Sequence, residues 1–263
     1  KNIEFYVPLQ LKFLKDKIGF LPEKIFISNV KKKKNDFFGN DDIKFWKYKL
    51  QLFTDPEKID MDYFSIISQE LADQLFFSNK KENHWINNGL KTYWEIQYLE
   101  KFYKDYKLLG NLIDYKILGI KPLKYSFFSK LNLSEIYGLA YQYIMAQNLD
   151  QKIDEHLESL SNFNEIAISK FETGTLLNFI SEKMGKDNFE DFVRNYIAKN
   201  DNKIINKEDF LNEMAMKSGY SSSFMETYIQ RKMRVNFKIK SFDRIDDQLN
   251  IKISKNTTQN IPF

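Results

Sequence analysis

Apolar residues recur at helical spacing from Asp60 to Met233, and this pattern limits the chain to a largely helical fold. A repeat of three or four positions is typical of an amphipathic α-helix with one buried face. Asn206 is positioned to cap one helix, while Gly185 and Gly219 stand where two others should stop. The predicted helices are, in chain order, 62–77, 85–106, 134–147, 165–184, 188–198, 207–217 and 222–233.

Shorter elements flank this helical region. Residues 9–18 have helical spacing and end at Gly19, whereas 24–30 and 46–53 alternate in strand fashion. In the tail, 235–239 and 249–253 alternate on either side of Asp246-Asp247, which predicts a β-hairpin. The expected fold class is therefore α+β. The predicted division is a mixed α/β part at 1–58, a helical part at 59–233, and a hairpin at 234–263 that is a linker or the start of a truncated β-domain.

Composition excludes several kinds of chemistry. The chain has 40 Lys+Arg against 36 Asp+Glu, an excess too small to indicate a nucleic-acid partner. It has no cysteine, which excludes disulfides, thiolate metal sites and cysteine nucleophiles. It has two histidines, and both His84 and His156 are expected to face water. The run Lys31 to Lys34 is interpreted as a solvated loop, with a phosphate or lipid site as the alternative.

Targeting and membrane signals point to a piece of a longer chain. No run of eighteen apolar residues is present, so no membrane span is predicted within this sequence. The sequence begins at Lys1 and carries no signal peptide. We therefore expect a fragment or a processed form of a longer protein.

The segment SQELADQLFFSNKKENHWINNGL at 68–90 contains the pattern that points to a catalytic site. Positions 69 and 73 lie one helical turn apart and share a face. Zinc peptidases place two histidines at this spacing to chelate one ion, and the intervening glutamate acts as general base toward the metal-bound water. In this chain the two positions are Gln69 and Asp73, and Glu70 stands between them.

This segment resembles the aminopeptidase N-like gluzincin metallopeptidases, whose signature has the form HELAHQWFGN followed by WLNEGLATY. The matching residues are Glu70, Leu71, Ala72, Gln74 and Asn79 in the first block, and Trp85, Asn87, Gly89, Leu90 and Tyr93 in the second. The two histidine ligands are replaced by Gln69 and Asp73, and the glutamate ligand by Asn88. The stretch between the two blocks is also shorter than in the family.

A third block resembles the family's Y-x-K-G sequence, whose tyrosine stabilises the tetrahedral intermediate. The matching residues here are Phe171-Glu172-Thr173-Gly174, so the ring is kept and the hydroxyl is lost. The family's exopeptidase loop, G-x-M-E-N, would fall within 36–55, and no match to it is present there.

The resemblance implies a thermolysin-like domain with a small sheet, then a mostly helical bundle, ending in a β-hairpin. It also implies a lost active site: Glu70 and Phe171 are vestigial catalytic positions, and Gln69, Asp73 and Asn88 are vestigial zinc-ligand positions. Because a neutral amide is a poor zinc ligand, no metal and no other cofactor is predicted.

Three functions remain open from the sequence. The first is a catalytically inactive pseudopeptidase that serves as a scaffold or binds a protein or peptide partner. The second is a hydrolase with zinc-independent chemistry that uses Glu70 and Asp73 as a carboxylate pair. The third is an assembly subunit that uses its aromatic and lysine-rich surface. Some relatives of the family are fused to membrane permeases, so attachment to a membrane protein and an extracytoplasmic location are expected by analogy alone.

Overall fold

The helices of the chain are arranged around one buried helix, His84–Phe102. A computed structural model describes residues 2–22, 56–75, 83–200, 205–230, 236–245 and 248–256. Within these residues, eight α-helices are longer than two turns: α1 (Asn2–Ile18), α2 (Pro56–Leu75), α3 (His84–Phe102), α4 (Ile136–Ala146), α5 (Thr173–Met184), α6 (Lys186–Lys199), α7 (Lys207–Ser218) and α8 (Ser222–Gln230). A π-helix, Glu165–Glu172, leads directly into α5. Two strands follow α8: β1 (Asn236–Ile245) and β2 (Gln248–Asn256).

Helix α3 is buried on every side from His84 to Leu99. Its large apolar side chains, Trp85, Tyr93, Trp94 and Tyr98, are the largest in the core. A helix buried on every side is stable only when neighbours cover each face and its buried polar side chains have hydrogen-bond partners. Helix α2 covers one side of α3, and α5 and the π-helix cover another.

The prediction of a mostly helical chain with a C-terminal hairpin is confirmed. Two local signals also act as expected. The Asn206 side chain accepts hydrogen bonds from the backbone N–H groups of Glu208 and Asp209, at 2.8 and 3.3 Å, and so caps α7. Gly185 and Gly219, with φ of 85° and 74°, end α5 and α7. The helix predicted at 165–184 is instead two helices, because its first half has π-helical hydrogen bonding.

Several sequence predictions lie outside the described residues. They are the strands at 24–30 and 46–53, the lysine run at 31–34 and the region 36–55 of the exopeptidase loop. The small sheet of the expected thermolysin-like fold therefore remains a prediction.

Two glycine–threonine contacts set the close approach of α3 and α5. A Cβ added at Gly89 would lie 2.5 Å from Thr173 Cγ2, and one added at Gly174 would lie 2.4 Å from Thr92 Cβ. Such distances are well inside van der Waals contact, so each glycine is required by the threonine of the opposite helix. The crossing is thus reciprocal, with one glycine and one threonine from each helix.

A buried carboxylate joins the first three helices. Asp60 of α2 accepts hydrogen bonds from the hydroxyls of Tyr98 and Tyr103, at 2.8 and 2.5 Å, and from the side-chain amide of Gln10 on α1. Burial, and then the bond to Asp60, raise the pKa of both tyrosines far above the usual value. A buried carboxylate is tolerated where its oxygens are satisfied in this way.

The hairpin pairs in an antiparallel register with Ile239 opposite Ile253 and Phe242 opposite Ile251. The register shifts between Ile239 and Ser241, which indicates a β-bulge. These apolar side chains share one face of the hairpin, and all four are exposed. Among the described helices, none combines the length and the hydropathy needed to cross a membrane.

Candidate functional site

The first motif block lies on α2 as far as Leu75, whereas its Asn79 is outside the described residues, and its two carboxylates accept hydrogen bonds from side-chain amides. The side-chain amide of Gln69 donates to Asp73 Oδ1 at 3.1 Å, as expected for residues one turn apart. Asn87 of α3 donates to the same oxygen at 3.3 Å. Glu70 accepts from Gln74 at 3.2 Å. The structure therefore brings Gln69 and Asp73 together and adds Asn87 to them.

Asn88, the third position that the resemblance pairs with a zinc ligand, faces a different neighbour. Its side-chain amide donates to Ser169 Oγ of the π-helix at 2.8 Å. Consecutive residues of a helix point about 100° apart, so Asn87 can face α2 while Asn88 faces the π-helix. The residue of α3 that contacts the 69/73 pair is thus Asn87.

The donor atoms at this position do not fit zinc. Gln69, Asp73 and Asn87 supply one carboxylate and two neutral amides, whereas zinc sites in proteins are built from thiolates, imidazoles and carboxylates. Within the described part of the chain, no group of three or more His, Asp or Glu side chains is placed to hold a metal ion. We derive no chemical step through a metal.

Phe171, the position that the resemblance pairs with the family's tyrosine, lies near the end of the π-helix. Its ring packs edge-to-face on Tyr137 of α4, with centroids 4.9 Å apart. The side chain is half-buried and joins the main core to the small cluster of Ala140, Ile144 and Ala167. In this structure Phe171 therefore contributes to packing between the π-helix and α4.

His84 is buried, which corrects the expectation that it faces water. It is 5% exposed at the first position of α3. Its Nε2 lies 3.0 Å from the carbonyl oxygen of Glu155, and its Nδ1 lies 2.8 Å from Ser169 Oγ. Since a carbonyl can only accept, Nε2 carries the proton and Nδ1 accepts from the Ser169 hydroxyl. Burial lowers the pKa of His84, and the bond to Glu155 only partly offsets this. His156, by contrast, is exposed as predicted.

The same face of α3 carries further buried polar groups. Lys91 and Glu95 form an ion pair at 3.2 Å, and the Tyr137 hydroxyl lies 3.3 Å from Glu95. Together with His84 and Asn88 these residues recur at helical spacing, so they form one polar stripe along α3. Buried charges require such partners, because an isolated charge costs several kcal/mol in an apolar interior.

Glu172 is another buried titratable group, and sequence reasoning missed it. Burial raises its pKa to about 8, although hydrogen bonds from Tyr141 and Tyr228 oppose the shift. The nearby carboxylate of Asp150 raises it further. In the sequence, the one indication of a functional role for Glu172 is its position next to Phe171. Ser169 gave no signal, because its partners lie far away in the chain.

Comparison with known proteins adds no relative: no protein-family profile matches the chain, and no curated protein is significantly similar to it.

Proposed function

We propose that the chain is a catalytically inactive relative of the aminopeptidase N-like gluzincins, and that it acts as a scaffold or as a protein- or peptide-binding module. One observation carries this proposal: of the three segments that resemble the family, the second packs on both of the others. The first block lies on α2, the second on α3, and the third spans the end of the π-helix and the start of α5. A shared active site requires such contacts between its segments, so this packing supports the proposal.

The matched glycines support the same reading. Gly89 belongs to the second block and Gly174 to the third, and both are required at the crossing of α3 and α5. These two matched positions are thus positions that packing needs. The positions that depart from the family, Gln69, Asp73 and Asn88, are those where the family needs chemistry. The thermolysin-like fold, with its small sheet, is part of this proposal.

The alternative of a carboxylate pair receives less support. Glu70 accepts from Gln74, and Asp73 accepts from Gln69 and Asn87. An amide satisfies a carboxylate oxygen but supplies no proton that can be shared or transferred. Each carboxylate therefore has its own structural partner, and a general acid–base role has no geometric basis in these contacts.

The proposal is tested by metal analysis and a peptidase assay on the purified chain. The wild-type protein is incubated with zinc, separated by gel filtration and analysed for bound metal, and turnover of fluorogenic aminoacyl substrates is compared with that of Glu70→Gln. Glu226→Gln, a change at an exposed glutamate of α8, is the control. We expect substoichiometric zinc and the same background turnover in all three proteins. Stoichiometric zinc, or turnover that Glu70→Gln alone abolishes, would refute the proposal.

A further inference from the structure

Residues 107–132 form a surface excursion between α3 and α4. It is closed at its base, where the N–H of Leu108 donates to the carbonyl of Leu131 at 2.8 Å and Lys107 pairs with Asn132 in an antiparallel bridge. Between these points the chain is built of short 3₁₀ turns: Gly110–Asp114, Pro122–Tyr125 and Phe127–Ser129. Ordered loops of this length in a compact domain are commonly functional.

The tip of the 107–132 excursion is a tight turn that projects aliphatic side chains. Ile117 and Ile120 exchange both backbone hydrogen bonds, at 2.8 and 3.0 Å. Leu118 and Gly119 between them have φ of 50° and 83°, which is the sign pattern of a type I′ turn. Ile117, Leu118 and Ile120 are 54%, 98% and 65% exposed. A leucine at positive φ is strained, and here it is held almost fully in solvent.

The excursion is also strongly basic. It contains five lysines and one aspartate, so its charge of +4 equals that of the whole chain. Asp114 accepts a hydrogen bond from Lys121 at 2.6 Å. This bond, and then the fields of Lys124 and Lys116, hold the pKa of Asp114 below its usual value. Three ammonium groups therefore surround one carboxylate next to the apolar tip.

Exposed aromatic side chains complete this surface: Tyr115, Tyr125, Phe127 and Phe128. Tyrosine is enriched at the level of lipid headgroups, and phenylalanine is common on the apolar face of segments that lie in the membrane interface. Stable attachment to a bilayer surface needs two signals, an apolar insertion and attraction of basic residues to anionic lipid.

We propose that the 107–132 excursion docks on an anionic membrane surface, with the aliphatic tip at the acyl boundary and its lysines at the headgroups. A membrane is favoured because the exposed apolar tip is accompanied by a net positive charge, which matches a surface with an apolar interior and anionic headgroups. This proposal does not depend on whether the motif on α2 is a lost zinc site.

Vesicle sedimentation tests the proposal. Wild-type protein is mixed with vesicles of phosphatidylcholine alone and with vesicles that contain about 30% phosphatidylserine. A tip variant combines Ile117→Ser, Leu118→Asn and Ile120→Ser, with asparagine chosen because it tolerates positive φ. Its matched control combines Leu149→Ser, Phe179→Ser and Met216→Ser, which remove equally exposed apolar side chains elsewhere. A charge variant combines Lys116→Gln and Lys124→Gln, and Lys152→Gln with Lys217→Gln is its control.

We expect the wild type to bind the anionic vesicles at least about tenfold more tightly than the neutral ones. The tip variant should bind anionic vesicles about tenfold or more weakly than the wild type. The charge variant should lose affinity for anionic vesicles only, and both controls should match the wild type.

Failure of the wild type to bind anionic vesicles would overturn the proposal, as would equal losses of affinity in the tip variant and its control. A concentration-dependent dimer that the tip variant abolishes, without vesicle binding, would assign the tip to self-association instead. Unchanged far-UV circular dichroism of each variant verifies folding.

Discussion

His84 Nδ1 lies 2.8 Å from Ser169 Oγ, and this hydrogen bond joins the first turn of α3 to the π-helix. The same hydroxyl oxygen accepts from the Asn88 side chain at 2.8 Å. Ser169 is fully buried, so water is not at hand to replace it for either partner. One hydroxyl therefore satisfies two polar side chains of α3, His84 just before the second motif block and Asn88 within it.

Ser169→Ala should destabilise the protein by about 2–4 kcal/mol, because it leaves His84 and Asn88 buried with one partner fewer each. Urea unfolding measures this change. Ser68→Ala is the matched control, since Ser68 is equally buried but its hydroxyl bonds only to the carbonyl of Ser65 in its own helix, at 3.3 Å. Its cost should be about 1 kcal/mol or less. Equal costs for the two variants would show that the Ser169 network is not a special contributor.

Stability should fall as the pH drops below about 6.5, the ordinary pKa of histidine. Burial lowers the pKa of His84 in the folded state, so the unfolded state takes up this proton first and protonation favours unfolding. The loss is at most about 1.4 kcal/mol per pH unit in this window. Thermal midpoints from pH 5 to 8 should therefore show a shallower acid slope in His84→Gln than in the wild type. His156→Gln changes an exposed histidine and should keep the wild-type slope.

Glu172→Gln should stabilise the protein at alkaline pH. The folded-state pKa of Glu172 is about 8, above its ordinary value, so its contribution to stability is present at low pH and is lost as the pH rises through 8. Glutamine stays neutral and can still bond to Tyr141 and Tyr228. We expect a gain on the order of 5 kcal/mol at about pH 9 that vanishes near pH 4. The pH series of urea midpoints measures it, with exposed Glu226→Gln as control. A gain that does not depend on pH would assign the effect to something other than ionisation.

Features that depend on neighbours in the sequence could be predicted, whereas features that depend on residues distant in the chain could not. The helices and the hairpin follow from spacing, and the cap at Asn206 needs only neighbours in sequence. The π-helix does not follow from spacing, because Glu165–Glu172 and α5 share one apolar pattern and differ only in hydrogen-bond register. The burial of His84 depends on Ser169 and Glu155, which are distant in the chain. For the same reason, only the packing of α2 on α3 distinguishes Asn87 from Asn88.

The crossing of α3 and α5 should show energetic coupling between Gly89 and Thr173. Gly89→Ala should cost about 2–4 kcal/mol, because the new Cβ would overlap Thr173 Cγ2. Thr173→Ser removes that methyl group and retains the hydroxyl that bonds to the carbonyl of Ile168 at 3.1 Å. In this background Gly89→Ala should cost at least about 1 kcal/mol less, as a double-mutant cycle of urea unfolding would measure. Gly138→Ala, where a Cβ meets no atom within 4 Å, should be neutral or stabilising by up to about 1 kcal/mol.

Restoring zinc ligands should distinguish the two asparagines of α3. Gln69→His with Asp73→His places two imidazoles one turn apart on α2, the spacing that chelates zinc. Because Asn87 lies 3.3 Å from Asp73 Oδ1 whereas Asn88 is bonded to Ser169, we expect Asn87→Glu to supply the third ligand. Added to the double variant, it should tighten zinc binding by about tenfold or more in a competition titration with a chelating dye, and zinc should raise its thermal midpoint. The matched comparison is Asn88→Glu in the same background, which should not tighten binding. Tighter binding with Asn88→Glu would instead place the third ligand where the family's sequence pattern has it, and would show that α3 can rotate or repack when a metal is bound.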